Sequence, residues 1–359
     1  MTIQAGRPVK LVYRFGEGNA SMGELLGGKG SNLCEMVRLG LPVPPGFVIT
    51  TQVCRDYLSQ DQTLPKDLEE SIRDNLHQLE DSIGRNFGST SSPLLVSVRS
   101  GARISMPGMM DTILNLGIND QIVEGLASMM GDPRPAYDAY RRFIQIYSEV
   151  VMDVAPESFE QSLATHKEKA GVTLDHQLTA NQMQDIVADF KQITRDATGS
   201  EPPSDPWEQL MAAVEAVFRS WNTPRAVFYR DHNHIDHDMG TAVTIMAMVF
   251  GNLGHKSGTG VIFTRDPSTG AAQVYGGLVY MDFERAFLEK NGHGRYETLD
   301  PSLLPPLYLA YRSEFAEDSD VYHSDLRARW EAGDPEVVKA MKEFGEITAL
   351  GRYRLLESD

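Results

Sequence analysis

Five stretches of this 359-residue chain gather residues whose types and spacing suit chemistry on a phosphate or a metal. The first is Gly23-Glu-Leu-Leu-Gly27-Gly28-Lys29-Gly30. Its glycines expose backbone N–H groups beside one ammonium, a combination that grips phosphate near a helix N-terminus. The spacing is close to a P-loop, but the last position, which must be Ser or Thr to hold magnesium, is Gly30, so a P-loop NTPase is disfavoured. On local grounds alone a Gly-Gly-Lys-Gly segment is more often a plain turn. The second stretch, VRSGARISMPGMMDT from Val98 to Thr112, delivers Arg99 from the end of an apolar run into a Gly/Ser loop. The planar fork of an arginine matches phosphate oxygens. Its methionines, Met110 among them, read either as core filler or as the soft lining of a purine slot.

The third stretch is Ser257-Gly258-Thr259-Gly260-Val261, either a hairpin turn or a flap whose amides close over phosphates. In the fourth, Asp282 and Glu284 stand two apart, so a strand would project both to one side as a magnesium site needs. The plainer reading is two surface acids in an acidic chain. The fifth, Asp231 to Asp238, holds three histidines that no helical or strand period puts on one face. A solvated loop is expected there rather than a zinc site. Cys34 and Cys54 have no reactive sequence context and read as buried thiols.

The elements that must position these groups follow from periodicity. Residues 10–15 read as a strand and 31–40 as a helix, with Ser31 capping its first turn and Gly40 ending it. A second strand is expected over 47–50, two helices over 52–86 broken at Pro65, and a strand at 94–98 carrying Arg99 at its end. From Asn119 to about residue 209 strand signals nearly vanish. Helical spacing recurs at Tyr140, Phe143, Ile144 and Tyr147, then over 157–168 and 179–197. Residues 207–221 form an amphipathic helix, and 241–252 and 258–267 read as paired strands. After Gly277 the chain reads as helical and charged, with Asp334 and Pro335 opening one helix. The divisions expected are a first α/β lobe at 1–118, a helical insertion at 119–205, a partial second lobe at 206–277 and an acidic helical tail at 278–359.

Composition bounds the function. Thirty-three basic against fifty acidic side chains leave a formal charge of −17, a surface that repels nucleic acid and anionic lipid. No apolar run reaches the length of a membrane span, and the first ten residues lack the apolar core of a signal peptide. Two cysteines are too few for a disulfide scaffold. The expectation is a soluble, cytoplasmic, mixed α/β (α+β) protein with no nucleic-acid or membrane partner.

Six segments carry a resemblance beyond generic pattern: FGEGNASMGELLGGKGSNLCEM, LPVPPGFVITT, LLVSVRSGARISMPGMMDTILNLGIND, YDAYRRFIQIYSEVVM, QLMAAVEAVFRSWNTPRAVFYR and GTAVTIMAMVFGNLGHKSGTGVIFTRDPSTG. In this order they are similar to the N-terminal nucleotide-binding domain of the pyruvate, phosphate dikinase family, to which phosphoenolpyruvate synthase is a looser relative. The resemblance implies an ATP-grasp architecture, two α/β lobes clamping ATP with a helical insertion in the first. It implies that Lys29, beside Gly28, contacts nucleotide phosphate and that Arg99 stabilises charge on the transferring phosphoryl. Gly258, Thr259 and Gly260 would form the covering flap, Met110 would border the nucleotide, and Arg142 would be linked to phosphotransfer.

The implied reaction uses ATP, inorganic phosphate and Mg²⁺ to phosphorylate a histidine on a separate swivelling domain, which serves a pyruvate-binding barrel. A homodimer is the usual state of such enzymes. The sequence departs from the family after Gly270, where its Gly-Glu-Asp loop, its Asp-x-Glu metal pair and its Leu-Gln-x-Arg strand are not recognisable. Asp282 and Glu284 reproduce only the spacing of the metal pair. The phosphohistidine domain and the barrel need several hundred further residues, so the full reaction is not expected of this chain alone. The leading reading is an ATP-dependent phosphotransferase domain; the alternative is an impaired nucleotide-binding or regulatory module, or an inactive fragment.

Overall fold

The computed structural model describes residues 10–106, 108–251, 279–282 and 295–298. Contacts divide the chain into one unit of residues 1–254 with 308–314, and a second of 255–307 with 315–359. In the first unit the elements run β1 (Val12–Arg14), α1 (Gly23–Arg38), β2 (Gly46–Ile49), α2 (Thr51–Ser59), α3 (Leu68–Ile83), β3 (Asn86–Phe87), β4 (Pro93–Leu94), β5 (Val96–Gly101) and β6 (Thr112–Leu116). There follow α4 (Ile122–Met130), α5 (Pro133–Val150), α6 (Glu157–Ala170), α7 (Ala180–Thr198), α8 (Pro206–Ser220), α9 (Pro224–His232) and β7 (Ala242–Ala247). In the second unit β8 (Val279–Asp282) pairs antiparallel with β9 (Arg295–Thr298).

Five strands make one sheet in the order β1-β2-β7-β5-β6, every neighbour antiparallel. The mixed helix-and-sheet class agrees with the sequence reading. β7, from the stretch expected in a second lobe, is the central strand of this sheet, held between β2 and β5. Its six residues are all buried, which requires cover on both faces and a neighbour on both edges. The expected pairing of 241–252 with 258–267 falls partly on residues outside those described. The expected helical tail begins, where described, with the β8–β9 pair instead. β-branched and aromatic residues, Val279, Tyr280, Tyr296 and Thr298, favour a strand there.

The two faces of the sheet are covered differently. Val243, Ile245 and Ala247 of β7 join Phe47, Ile49, Val96, Val98 and Ile113 in the main core, under α2, α3, α5 and α8. Ala242 and Met246 belong to a smaller core with Val48, Phe15 and the α1 residues Leu26, Leu33 and Cys34. The helical stretch shares the main core through Tyr140, Phe143, Ile144 and Tyr147 of α5, as their spacing predicts. Among the described residues no helix is long and apolar enough to cross a membrane.

Local signals account for most boundaries. Asp132, Thr179 and Asp205 cap α5, α7 and α8 through side-chain oxygens, and Pro133 and Pro206 occupy first-turn positions. Ser31 does not cap α1. The helix starts eight residues earlier, at Gly23, and buried Ser31 donates its hydroxyl to the carbonyl of Gly27 at 2.7 Å. Both cysteines are free and buried, as expected. Burial pushes the Cys34 thiol up to about 11 and the Cys54 thiol up to about 12. Below about pH 8.5 a thiol is protonated in folded and unfolded chains alike; above it the unfolded chain ionises first, so stability falls as pH rises toward those values. We expect neither thiol to react with Ellman's reagent in the native protein at about pH 8, and both to react once denaturant is added. Stoichiometric labelling without denaturant would contradict the burial of both.

Candidate functional site

α1 is broken where the sequence doubles its glycines. Gly27 takes φ 68° and ψ 169°, a left-handed excursion that divides the helix after its first turn. The break lets the chain close onto the end of β5. A Cβ on Gly27 would fall 1.6 Å from the carbonyl oxygen of Gly101, so no side chain fits. The next residue, Gly28, donates its N–H to the carbonyl of Ala102 at 2.9 Å. A Cβ on Gly28 would lie 3.1 Å from the carbonyl oxygen of Arg103. The glycine-rich turn and the strand end thus interlock through their backbones.

This interlock fixes where Lys29 sits. A Cβ built on Gly101 would lie 3.5 Å from the Cβ of Lys29. Gly101 and Arg99 are two apart on β5, so they share a sheet face about 6.7 Å apart. The pairing of β5 with β7 sets Arg99 opposite Thr244 and Gly101 opposite Ala242. Ala242 belongs to the core under α1, so Arg99, Gly101 and Thr244 all lie on the α1 face. The structure therefore brings Lys29 and Arg99, each half-buried, to one face of one sheet. Thr244 stands across from Arg99: its hydroxyl oxygen is buried, 3.8 Å from the Cβ position on Gly101, with no hydrogen-bond partner among the described residues.

Other sequence candidates go elsewhere. Met110 is partly buried against a satellite cluster of Met106, Trp221 and Ile235, with Ala102 and Met109 beside it. Arg142 is exposed on α5, its guanidinium 3.4 Å from buried Asp138, in a charge network with Arg141, Asp175 and Lys167. Gly258, Thr259, Gly260 and Glu284 lie outside the described residues, and Asp282 is the last residue of β8, paired in register with Arg295.

The histidine-rich stretch is not a metal centre among the described residues. His237 bonds Asp231 through Nε2 at 2.9 Å and accepts from Arg230 Nε through Nδ1 at 3.1 Å. Arg230 is buried over the ring of Trp221. Among the described residues no group of three or more His, Cys, Asp or Glu side chains could hold a metal ion. Sequence reasoning missed two participants: Gly101, read only as loop, and Arg103, whose Nη1 donates to Glu24 Oε1 at 2.8 Å. The Arg99–Gly101 spacing held the signal for the first, since strand alternation puts both on one face.

A small residue is thus required where a lysine from a broken helix crosses an arginine-bearing strand. A family model described as pyruvate phosphate dikinase, AMP/ATP-binding domain, matches residues 23–63 and 59–280, which include Lys29, Arg99 and the whole interlock. The chain belongs to this family. It is 54% identical over 268 residues to a pyruvate, phosphate dikinase of Clostridium symbiosum, an alignment covering 74% of this chain and 31% of that protein. It is 51% identical over 271 residues to the Rhizobium meliloti enzyme, covering 74% of this chain and 30% of the relative. A chloroplastic pyruvate, phosphate dikinase of Mesembryanthemum crystallinum is 50% identical over 272 residues, covering 75% of this chain and 29% of the relative. The matched part spans under a third of the length of these dikinases.

The interlock makes the two glycines unequal. Gly27→Ala combines a positive φ with a backbone collision and is expected to cost on the order of 3–5 kcal/mol. Gly101→Ala meets only ordinary contact with the Lys29 side chain and should keep the native melting temperature within a few degrees. Urea or thermal unfolding of both variants checks this; equal effects would mean that the break in α1 is not held by β5.

Proposed function

We propose that the chain is an ATP-binding phosphotransferase domain of the dikinase type, which binds the phosphates of ATP at Lys29 and Arg99 and passes a phosphoryl group to a histidine on a separate domain. The observation that carries this reading is that the roots of Lys29 and Arg99 lie on the α1 face of one sheet, with Lys29 packed against Gly101 two residues along β5 from Arg99. Family membership supports ATP as the nucleotide. The relatives' name, pyruvate, phosphate dikinase, supports inorganic phosphate and pyruvate as reactants of the whole enzyme, with the phosphohistidine domain and pyruvate barrel supplied outside the matched region.

Phosphoryl transfer asks a protein mainly for positioning and for neutralisation of charge. Lys29 supplies a point charge from a backbone that is pinned, so little ordering entropy remains to be lost on binding. Arg99 is rooted in the middle of a sheet, between β6 and β7, and holds its guanidinium with little backbone freedom. A guanidinium so held suits the oxygens whose charge grows during transfer. Gly28, its N–H bonded to Ala102, serves the phosphate site in this reading by holding the backbone of Lys29 against the strand end. In the same reading Gly258, Thr259 and Gly260 cover the phosphates, Met110 borders the nucleotide, and Arg142 is linked to phosphotransfer. The fold is then the first lobe of an ATP-grasp clamp, with α4 to α7 as its helical insertion. Mg²⁺ would neutralise phosphate charge, with Asp282 and Glu284 as its proposed carboxylates.

Two measurements test the reading. Saturating ATP should raise the melting temperature, since a ligand at a hundredfold over its Kd stabilises by about 2.7 kcal/mol. Lys29→Ala should abolish most of that shift, and no shift in the wild-type chain would refute nucleotide binding. With a separately supplied phosphohistidine domain and labelled ATP, Arg99→Ala should slow labelling of the histidine by about 10² or more while ATP affinity changes far less. Undiminished transfer would remove Arg99 from the chemistry. Wild-type binding without any transfer would leave a nucleotide-binding module instead.

A further inference from the structure

Beside Lys29 and Arg99 stands a third cation that the phosphate reading has not used. Arg103 follows Gly101 by two residues, and its carbonyl oxygen closes over Gly28, so its backbone is fixed to the turn that carries Lys29. Its guanidinium is turned onto Glu24, the one acid within residues 23–30, through Nη1 to Oε1 at 2.8 Å. The Arg103 side chain is 54% exposed and that of Glu24 81%. An ion pair so open to water contributes little to stability and exchanges readily. Glu24 itself is held in place: its carbonyl accepts from the hydroxyl of Thr51 at 2.7 Å, anchoring the first turn of α1 to α2. An exposed guanidinium is therefore paired with an exposed carboxylate, each on an anchored backbone, between the glycine turn and the strand end.

We propose that Arg103 is a third phosphate-binding cation, held by Glu24 until a polyphosphate takes the guanidinium, so that Glu24 competes with the nucleotide. A polyphosphate carries several charges and offers paired oxygens to the guanidinium fork, which a single exposed carboxylate does not match. Release frees Arg103 to join Lys29 and Arg99 and leaves Glu24 to solvent. This inference rests on the nucleotide reading above. It differs from a static clasp, in which the pair only steadies the turn.

Isothermal titration of the full chain with inorganic tripolyphosphate, and separately with ATP, distinguishes the two. Arg103→Gln should weaken both ligands about tenfold, the scale of one lost charge-assisted hydrogen bond. Arg103→Lys, which keeps the charge without the fork, should fall between it and the wild type. Glu24→Gln should tighten both about threefold, because it removes a competing carboxylate and its repulsion. Melting temperatures of all three variants should stay near wild type, which guards against a folding artefact. Weaker binding in Glu24→Gln, or unchanged binding in Arg103→Gln, overturns the exchange while leaving nucleotide binding intact. A wild-type chain that binds neither ligand overturns both.

Discussion

The close approach of Gly27 to the carbonyl of Gly101 is the contact on which the functional face depends. An α-helix keeps neighbouring backbones apart by the width of its side chains. Here the separation collapses because Gly27 has no side chain to meet the Gly101 carbonyl and because it tolerates φ 68°. The collapse lets a backbone hydrogen bond form from Gly28 to Ala102 and seats the root of Lys29 beside β5. With a larger residue at position 27 the helix would have to stand off from the strand, and the lysine would leave the arginine's face.

The sheet supplies the other half of the constraint. One face of β7 and β5 is committed to the main core, and most of the opposite face is closed by α1, Phe15 and Val48. Arg99, Gly101 and Thr244 form a polar stretch on that face, and Gly101 meets α1 at Gly27 and Lys29. A half-buried site of this kind strengthens electrostatic interactions with an anion while leaving it a path in from solvent. The exposed Glu24–Arg103 pair borders the same stretch and adds charge that can be redistributed.

Much of this was legible in the sequence. The apolar spacing of Tyr140, Phe143, Ile144 and Tyr147 gave the buried stripe of α5, and that of Leu210, Val214 and Val217 gave α8. Helix starts were less legible at Ser31, whose hydroxyl is spent on a carbonyl one turn back. A serine in an N-cap position and a serine bonding backwards inside a helix look alike until the neighbouring glycine is known to bend. Conversely, Asp132-Pro133 carries the same cap-and-proline signal as Asp205-Pro206, and α5 starts there, ahead of the apolar spacing that begins at Tyr140. Lys29 and Arg99 were named from residue type and position, yet their shared face depends on an antiparallel register that one-dimensional spacing does not contain. The position of β7 between β2 and β5 likewise follows from long-range pairing, because a fully apolar strand satisfies any central slot.

The shared face of Lys29 and Arg99 depends on the proximity of residues 29 and 101, and disulfide trapping tests that proximity most directly. Their Cβ positions are 3.5 Å apart, at the short end of the roughly 3.5–4.5 Å span of a disulfide. The native Cys34 and Cys54 are buried and should not interfere. Combining Lys29→Cys with Gly101→Cys and exposing the folded chain to mild oxidant should yield an intramolecular 29–101 bond in near-stoichiometric amount, seen by mass spectrometry of tryptic peptides. Two thiols that stay free, or that cross-link only between molecules, would contradict the interlock and with it the convergence of Lys29 and Arg99.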